Sequence, residues 1–296
     1  MLNQISPRPA AGDFCRACSA KTCGFCGAFD RDTLAEFSSH AHRVHFRRDA
    51  EIAGQGEASE QIGVIASGLV RIVNVTESGD EFILQVLHRG QLVGAPLQAV
   101  SEFSYEAATD TTICWVPRGA WEAFLQDRPL HFQAYVATMA SQMQDLQRGV
   151  VRLRGRDTAQ RVAFWLLEQA PNAHGGDRAR IRIALSRRDL ASLLDMTAET
   201  LCRALHRLHK RHVLRLVSPD LVEIDDLAKL RRAAKCQEEA VSAALAQTDT
   251  PTPRTQWNAT AADRLNGTKP VEMPKRPAAR RPGTKAAPDR AGVRSA

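Results

Sequence analysis

The chain has 296 residues, 44% of them apolar and 25% charged, which is the balance of an ordinary globular protein with room for two domains and tails. No run of 18 apolar residues occurs and the segment Met1–Cys15 lacks the apolar core of a secretory signal, so a membrane span is excluded and a cytoplasmic location is expected. The formal charge of +7 is local: residues 251–296 hold ten Lys/Arg against three Asp/Glu, and the other 250 residues carry 30 basic and 30 acidic side chains. Bulk charge therefore says nothing about nucleic acid, and any such argument has to come from a site.

The lead comes first. Of seven cysteines, Cys15, Cys18, Cys23 and Cys26 fall within twelve residues; Cys114, Cys202 and Cys236 are scattered. In a reducing compartment such crowding points to metal or cluster ligation rather than disulfides. Thiolates are the usual iron–sulfur ligands, four per cluster. Cys15 and Cys18 form a close pair, Cys23 or Cys26 supplies a third ligand, and Cys114 can supply the fourth. Zinc is the rival, but structural zinc sites usually separate their pairs by about 12 or more residues. Only four residues lie between Cys18 and Cys23. His40, His42 and His45 raise a metal or haem site, yet they stand among Arg43, Arg47 and Arg48 and read better as a solvated strand. Cys236 has no candidate partner.

From about 45 to 125 the texture is β. Gly56, Gly68, Gly79 and Gly90 recur every 11 or 12 residues and punctuate the runs Gln61–Ala66, Leu69–Val75, Phe82–Leu87 and Thr112–Val116. Turns so regularly spaced predict a small barrel or sandwich. A helix is predicted over Pro129–Leu153. Its apolar residues Phe132, Val136, Met139, Met143, Leu146, Val150 and Leu153 alternate gaps of four and three, the a/d pattern of a two-stranded seam. Residues 157–170 form a further amphipathic helix, and the Ala/Pro/Thr-rich tail is predicted to be disordered.

Ser186–Val217 reads as a helix-turn-helix. Ser186 caps the first helix, with Asp189 as the second arm of a weak capping box. Leu190, Leu193 and Leu194 are its buried face, Asp195-Met196 makes the turn, and Thr197 caps a second helix buried through Leu201, Leu205 and Leu208. The opposite face carries Glu199, Cys202, Arg203 and His206, with Arg207 beside them. Arg pairs bidentately with guanine and Glu accepts from cytosine, which makes this stripe the candidate DNA-reading surface. Leu214–Val217 and Leu221–Ile224 flank Ser218-Pro219-Asp220 as a β-hairpin wing. No nucleophile–base pair, phosphate-binding loop or dinucleotide fingerprint appears, so an enzyme is not expected.

This order, together with Gly68 in IASGLVRI, Ser78-Gly79-Asp80-Glu81, HRGQLVG ending at Gly94 and TAETLCRAL, resembles the CRP/FNR superfamily of transcription factors, and within it the FNR-type oxygen sensors. The resemblance covers about 15–230. It implies an α+β fold: a cysteine-rich cluster-binding lead (1–30), a cyclic-nucleotide-binding-like β-roll (31–128), a dimerisation helix (129–155), a winged helix-turn-helix (156–235) and a basic tail (236–296). It further implies a [4Fe-4S] cluster, a homodimer on a palindromic promoter of the TTGAT–ATCAA type, release of DNA when the cluster is oxidised, and RNA polymerase as a partner. Family variants leave five or seven residues after the close pair. Cys18 to Cys26 leaves seven, so the implied ligands are Cys15, Cys18, Cys26 and Cys114, with Cys23 as the alternative to Cys26. Cys202 stands where the family has Ser, a stronger hydrogen-bonding group. The cyclic-nucleotide members pair the ligand phosphate with an arginine, and none lies between Gly90 and Val116, so cyclic AMP is not an expected partner. The other reading is a zinc-stabilised structural or protein-interaction module without oxygen sensing.

Overall fold

The computed structural model describes residues 15, 18–94, 100–126, 128–170 and 178–235. The expected basic tail and Cys236 lie outside the described residues. Among the described residues no helix is long and apolar enough to cross a membrane.

The lead holds a 3-10 turn and two helices, α1 (Gly24–Gly27) and α2 (Arg31–His40). Asp30 caps α2 by accepting from the Thr33 backbone N–H at 2.8 Å, satisfying one of the donors that a helix start leaves open. The lead had no readable hydrophobic period, yet it is anchored by aromatic packing. Phe25 is wholly buried, its ring 4.7 Å from Trp121 and 4.9 Å from Phe29 between centroids. Full burial of one such side chain contributes about 1.5–3 kcal/mol.

Eight strands follow: β1 (His42–Phe46), β2 (Glu51–Ala53), β3 (Gln61–Ser67), β4 (Val70–Val75), β5 (Glu81–Leu87), β6 (Leu92–Val93), β7 (Ser104–Ala107) and β8 (Thr111–Pro117). They form two four-stranded sheets, β1-β8-β3-β6 and β2-β7-β4-β5. Ile65, Val70, Leu87, Val93 and Ile113 fill the space between them. The histidine-bearing stretch is split: His40 ends α2, and only His42 and His45 lie on a strand. Gly68 shows why the turns need glycine. Its φ is +89°, and a Cβ there would lie 2.5 Å from the Asp110 carbonyl oxygen.

Helix α3 (Arg118–Gln126), absent from the sequence expectation, leads into α4 (Pro129–Leu153) with Pro129 at its first turn. One face of α4 lies on the barrel through His131, Ala134, Tyr135 and Thr138. Gln142 clamps the edge strand β6, its Oε1 accepting from Leu92 N at 2.9 Å and its Nε2 donating to Leu92 O at 3.2 Å. The predicted seam lies on the other face. Phe132, Val136, Met143, Leu146 and Val150 are 37–54% exposed, and Met139 and Leu153 are half-buried.

The C-terminal unit contains α5 (Thr158–Gln169), β9 (Ala179–Arg182), α6 (Arg187–Leu193), α7 (Ala198–Lys210), β10 (Arg215–Ser218), β11 (Leu221–Ile224) and α8 (Leu227–Ala233). Its sheet has the order β10-β11-β9. Asp157 and Gln160 make a complete capping box on α5. The expected box on α6 is only half made. Ser186 Oγ accepts from Asp189 N at 3.0 Å, but the Asp189 carboxylate reaches across to Arg71 of the barrel at 2.8 Å instead of turning back. A buried carboxylate gains more from a guanidinium than from one backbone N–H.

Candidate thiol cluster site and nucleic-acid interface

Cys15, Cys18, Cys26 and Cys114 line one cavity, walled on its apolar side by Leu34, Phe37 and Val64. Cys23 does not line it. The divergence begins in the backbone. Gly24 has φ +57° and is pressed so closely against the β5–β6 turn that a Cβ would lie 2.1 Å from Gly90 O. The next peptide locks this approach, Phe25 N donating to Gly90 O at 3.0 Å. Cys23, before the turn, directs its thiol toward Arg89 O at 3.5 Å. Cys26, on α1, enters the cavity and is 8% exposed. Gly24 thus decides which thiol faces inward.

Cys114 reaches the cavity from β8, where it pairs with Arg43 of β1 and Val64 of β3. Arg43 Nε donates to its sulfur at 3.4 Å. The basic stretch is a solvated strand as expected, with Arg43 and His45 exposed; the Arg43 contact to Cys114 is an addition to that reading. Burial pushes the Cys15 thiol up to about 11, with Cys114 and Cys18 adding to the rise and Arg43 opposing it. Burial raises Cys26 further, followed by the neighbouring Cys114, Cys15 and Cys18. Cys114 is raised by burial and relieved by Arg43. The raised Cys15, Cys26 and Cys114 thiols hold their protons until a cation displaces them. Among the described residues no three His, Cys, Asp or Glu side chains are arranged to hold a single metal ion. The four sulfurs border a cavity, a donor set whose number and softness fit an iron–sulfur cluster.

The second surface is built on α6 and α7. Asp195 takes φ +53°, the left-handed turn between the helices. Thr197 caps α7, accepting from Thr200 N at 3.2 Å. Leu201, Leu205 and Leu208 are buried, and Glu199, Cys202, Arg203, His206 and Arg207 are all exposed. Arg203 forms an ion pair with Glu199 one turn earlier, and His206 Nδ1 donates to the Cys202 carbonyl at 2.8 Å. Strand β9 carries arginines that sequence reading overlooked, Arg180 paired with Glu223 and Arg182 with Asp220. Ala179 and Ile181 are buried while Arg180 and Arg182 face outward, and the alternation in ARIR was the available signal.

Comparison with known proteins bears on both halves. Residues 43–128 match the cyclic nucleotide-binding domain model, and residues 160–233 match the Crp-like helix-turn-helix domain model. The chain is 30% identical over 191 residues to the nitrogen fixation regulation protein FixK of Azorhizobium caulinodans, covering 63% of this chain and 77% of that one. It is 26% identical over 178 residues to the anaerobic regulatory protein of Haemophilus influenzae, covering 58% and 68%. The structure of FixK2 from Bradyrhizobium japonicum shares the fold, with a TM-score of 0.58 at 24% identity, over 65% of this chain and 96% of that one. These matched domains and relatives are those of DNA-binding regulators rather than enzymes. With a β-roll, a long helix and an exposed reading helix in the same order, the chain belongs to the CRP/FNR family of transcription regulators.

Proposed function

We propose that this regulator senses oxygen or redox state through a [4Fe-4S] cluster held by Cys15, Cys18, Cys26 and Cys114. In this reading a homodimer joined along α4 binds a palindromic promoter site through Glu199, Cys202, Arg203, His206 and Arg207, next to RNA polymerase. The observation that carries it is that four of the five candidate thiols line one apolar-walled cavity while Cys23 is turned to Arg89 O. Bound there, such a cluster would supply oxygen-labile chemistry, and Cys15, Cys18 and Cys26 would hold it together with Cys114 and so tie the lead to β8.

The chain's own residues supply the transmission. Phe25 and Phe29 of the lead pack on Phe124, and Phe29 lies 5.0 Å from the His131 ring at the start of α4. Losing the tether loosens these rings beneath the first turn of the seam, where Phe132 is the first apolar residue. Cyclic AMP is not the signal in this reading, because no arginine lies between Gly90 and Val116 to meet a phosphate.

Anaerobic purification tests the proposal. A brown protein with iron and acid-labile sulfide that binds palindromic DNA supports it. A colourless, zinc-containing protein without DNA affinity sinks it in favour of a structural module. Serine replacements test the ligand set: Cys26→Ser should abolish the visible absorbance and anaerobic DNA binding, while Cys23→Ser should keep most of both. The reverse pattern would transfer the ligand role to Cys23.

A further inference from the structure

Arg43 sits on the exposed face of β1, yet its guanidinium turns back onto the thiol site. It stands directly opposite Cys114 in the antiparallel pair of β1 and β8, so the two side chains share one face of the sheet. Val44 and Phe46, the alternate residues, pack against the barrel core. The outward face of β1 therefore carries Arg43 beside Cys114, which lines the cavity. There the Arg43 Nε–H donates to the Cys114 sulfur at 3.4 Å. Lys21, itself exposed, is a cation on the cavity wall.

The charge balance gives this placement its meaning. Four thiolates around an iron–sulfur core leave a net negative charge against Leu34, Phe37 and Val64. An uncompensated charge in apolar surroundings is costly. Hydrogen bonds to the ligand sulfurs and local charge are the main levers a protein has on cluster potential.

We propose that Arg43 is a positioning residue of the thiol site: through its N–H···S bond to Cys114 and its positive charge it fixes that ligand, offsets the site's negative charge and raises the cluster's reduction potential. The inference rests on the cluster reading above. The sign follows from Coulomb's law, because a fixed cation favours the more electron-rich, reduced form. Removing it lowers the potential.

The test uses full-length protein reconstituted anaerobically with ferrous iron and sulfide. Wild type is compared with Arg43→Lys, Arg43→Gln and Arg43→Met by cluster absorbance, dye-mediated potentiometric titration and iron loss to a chelator. Arg43→Met should show the lowest midpoint potential and hold iron about 10- to 100-fold less well, the usual range for an outer-shell partner. Arg43→Gln, a neutral donor, should fall between, and Arg43→Lys should keep most of the wild-type potential. If Arg43→Met fails to load, loading restored by Lys supports the charge role, and failure of Lys as well overturns it. A loaded wild type with unchanged variants refutes the role of Arg43 alone. A wild type that takes up no cluster overturns both the cluster reading and this inference.

Discussion

Arg203 and Glu199 pair with each other on the exposed face of α7, each side chain 73% exposed. A pair so solvated, one helical turn apart, contributes only about 0.3–0.5 kcal/mol. A bidentate Arg–guanine contact is worth about 1–3 kcal/mol of discrimination. The magnitudes decide the expectation: a pair this weak would be readily exchanged for bases on the proposed reading helix. Arg203→Ala should therefore cost about 1–3 kcal/mol in binding to the specific palindrome and leave random DNA almost unaffected. Fluorescence anisotropy on the two DNAs measures this. Equal losses on both would reduce Arg203 to a phosphate contact.

At the scale of elements, α4 carries two interleaved patterns. His131, Ala134, Tyr135 and Thr138 face the barrel, while Phe132, Val136, Met143, Leu146 and Val150 remain exposed. A helix packed only on its own domain needs one apolar stripe, and the second needs a partner. Met143→Asp or Leu146→Asp should yield a monomer in anaerobic sedimentation with weakened palindrome binding, because the charge would be buried in the seam. A stable dimer with intact affinity would move the interface elsewhere. The stripe was legible in the sequence because its spacing is strict. So were the glycine-bounded strands and the two capped helices, each with a local signal. Helix α1 was not: four residues have no period, and Phe25 is buried by Trp121 and Phe124, nearly a hundred positions away. Which thiol of Cys23 and Cys26 enters the cavity was half legible. The family resemblance favoured Cys26, but the close approach of Gly24 to Gly90 that turns Cys23 away from the cavity is tertiary.

At the scale of the whole molecule, the barrel and the DNA-binding domain are joined by a clasp around Arg71. Its side chain, 13% exposed, bonds to Glu106 of β7, Asp49 and Asp189 of α6, and the Asp189 side chain is 7% exposed. Ile83 N of β5 donates to Ser192 Oγ at 3.1 Å beside it, and Leu69, Ile83 and Val86 pack against the apolar core of the DNA-binding domain. Asp49 is 63% exposed and contributes little; the Arg71–Asp189 contact is the one that crosses between domains out of water. Breaking a buried pair from one side costs about 3–5 kcal/mol, because the remaining charge loses its partner. Arg71→Met should thus separate the unfolding of the two domains and sharpen proteolysis at residues 154–157, where α4 hands over to α5. Asp189→Asn leaves Arg71 with two carboxylates and should cost less. The double variant discriminates a clasp from two unrelated defects. If Arg71 and Asp189 act on each other, its loss of stability should fall short of the summed single losses by about 0.5–3 kcal/mol, the range for groups in contact. Additive losses by denaturant titration would show that the domains are held by the Leu69, Ile83 and Val86 packing and the other crossing bonds, without an Arg71–Asp189 coupling. The clasp would then carry none of the coupling between sensor and reading helix.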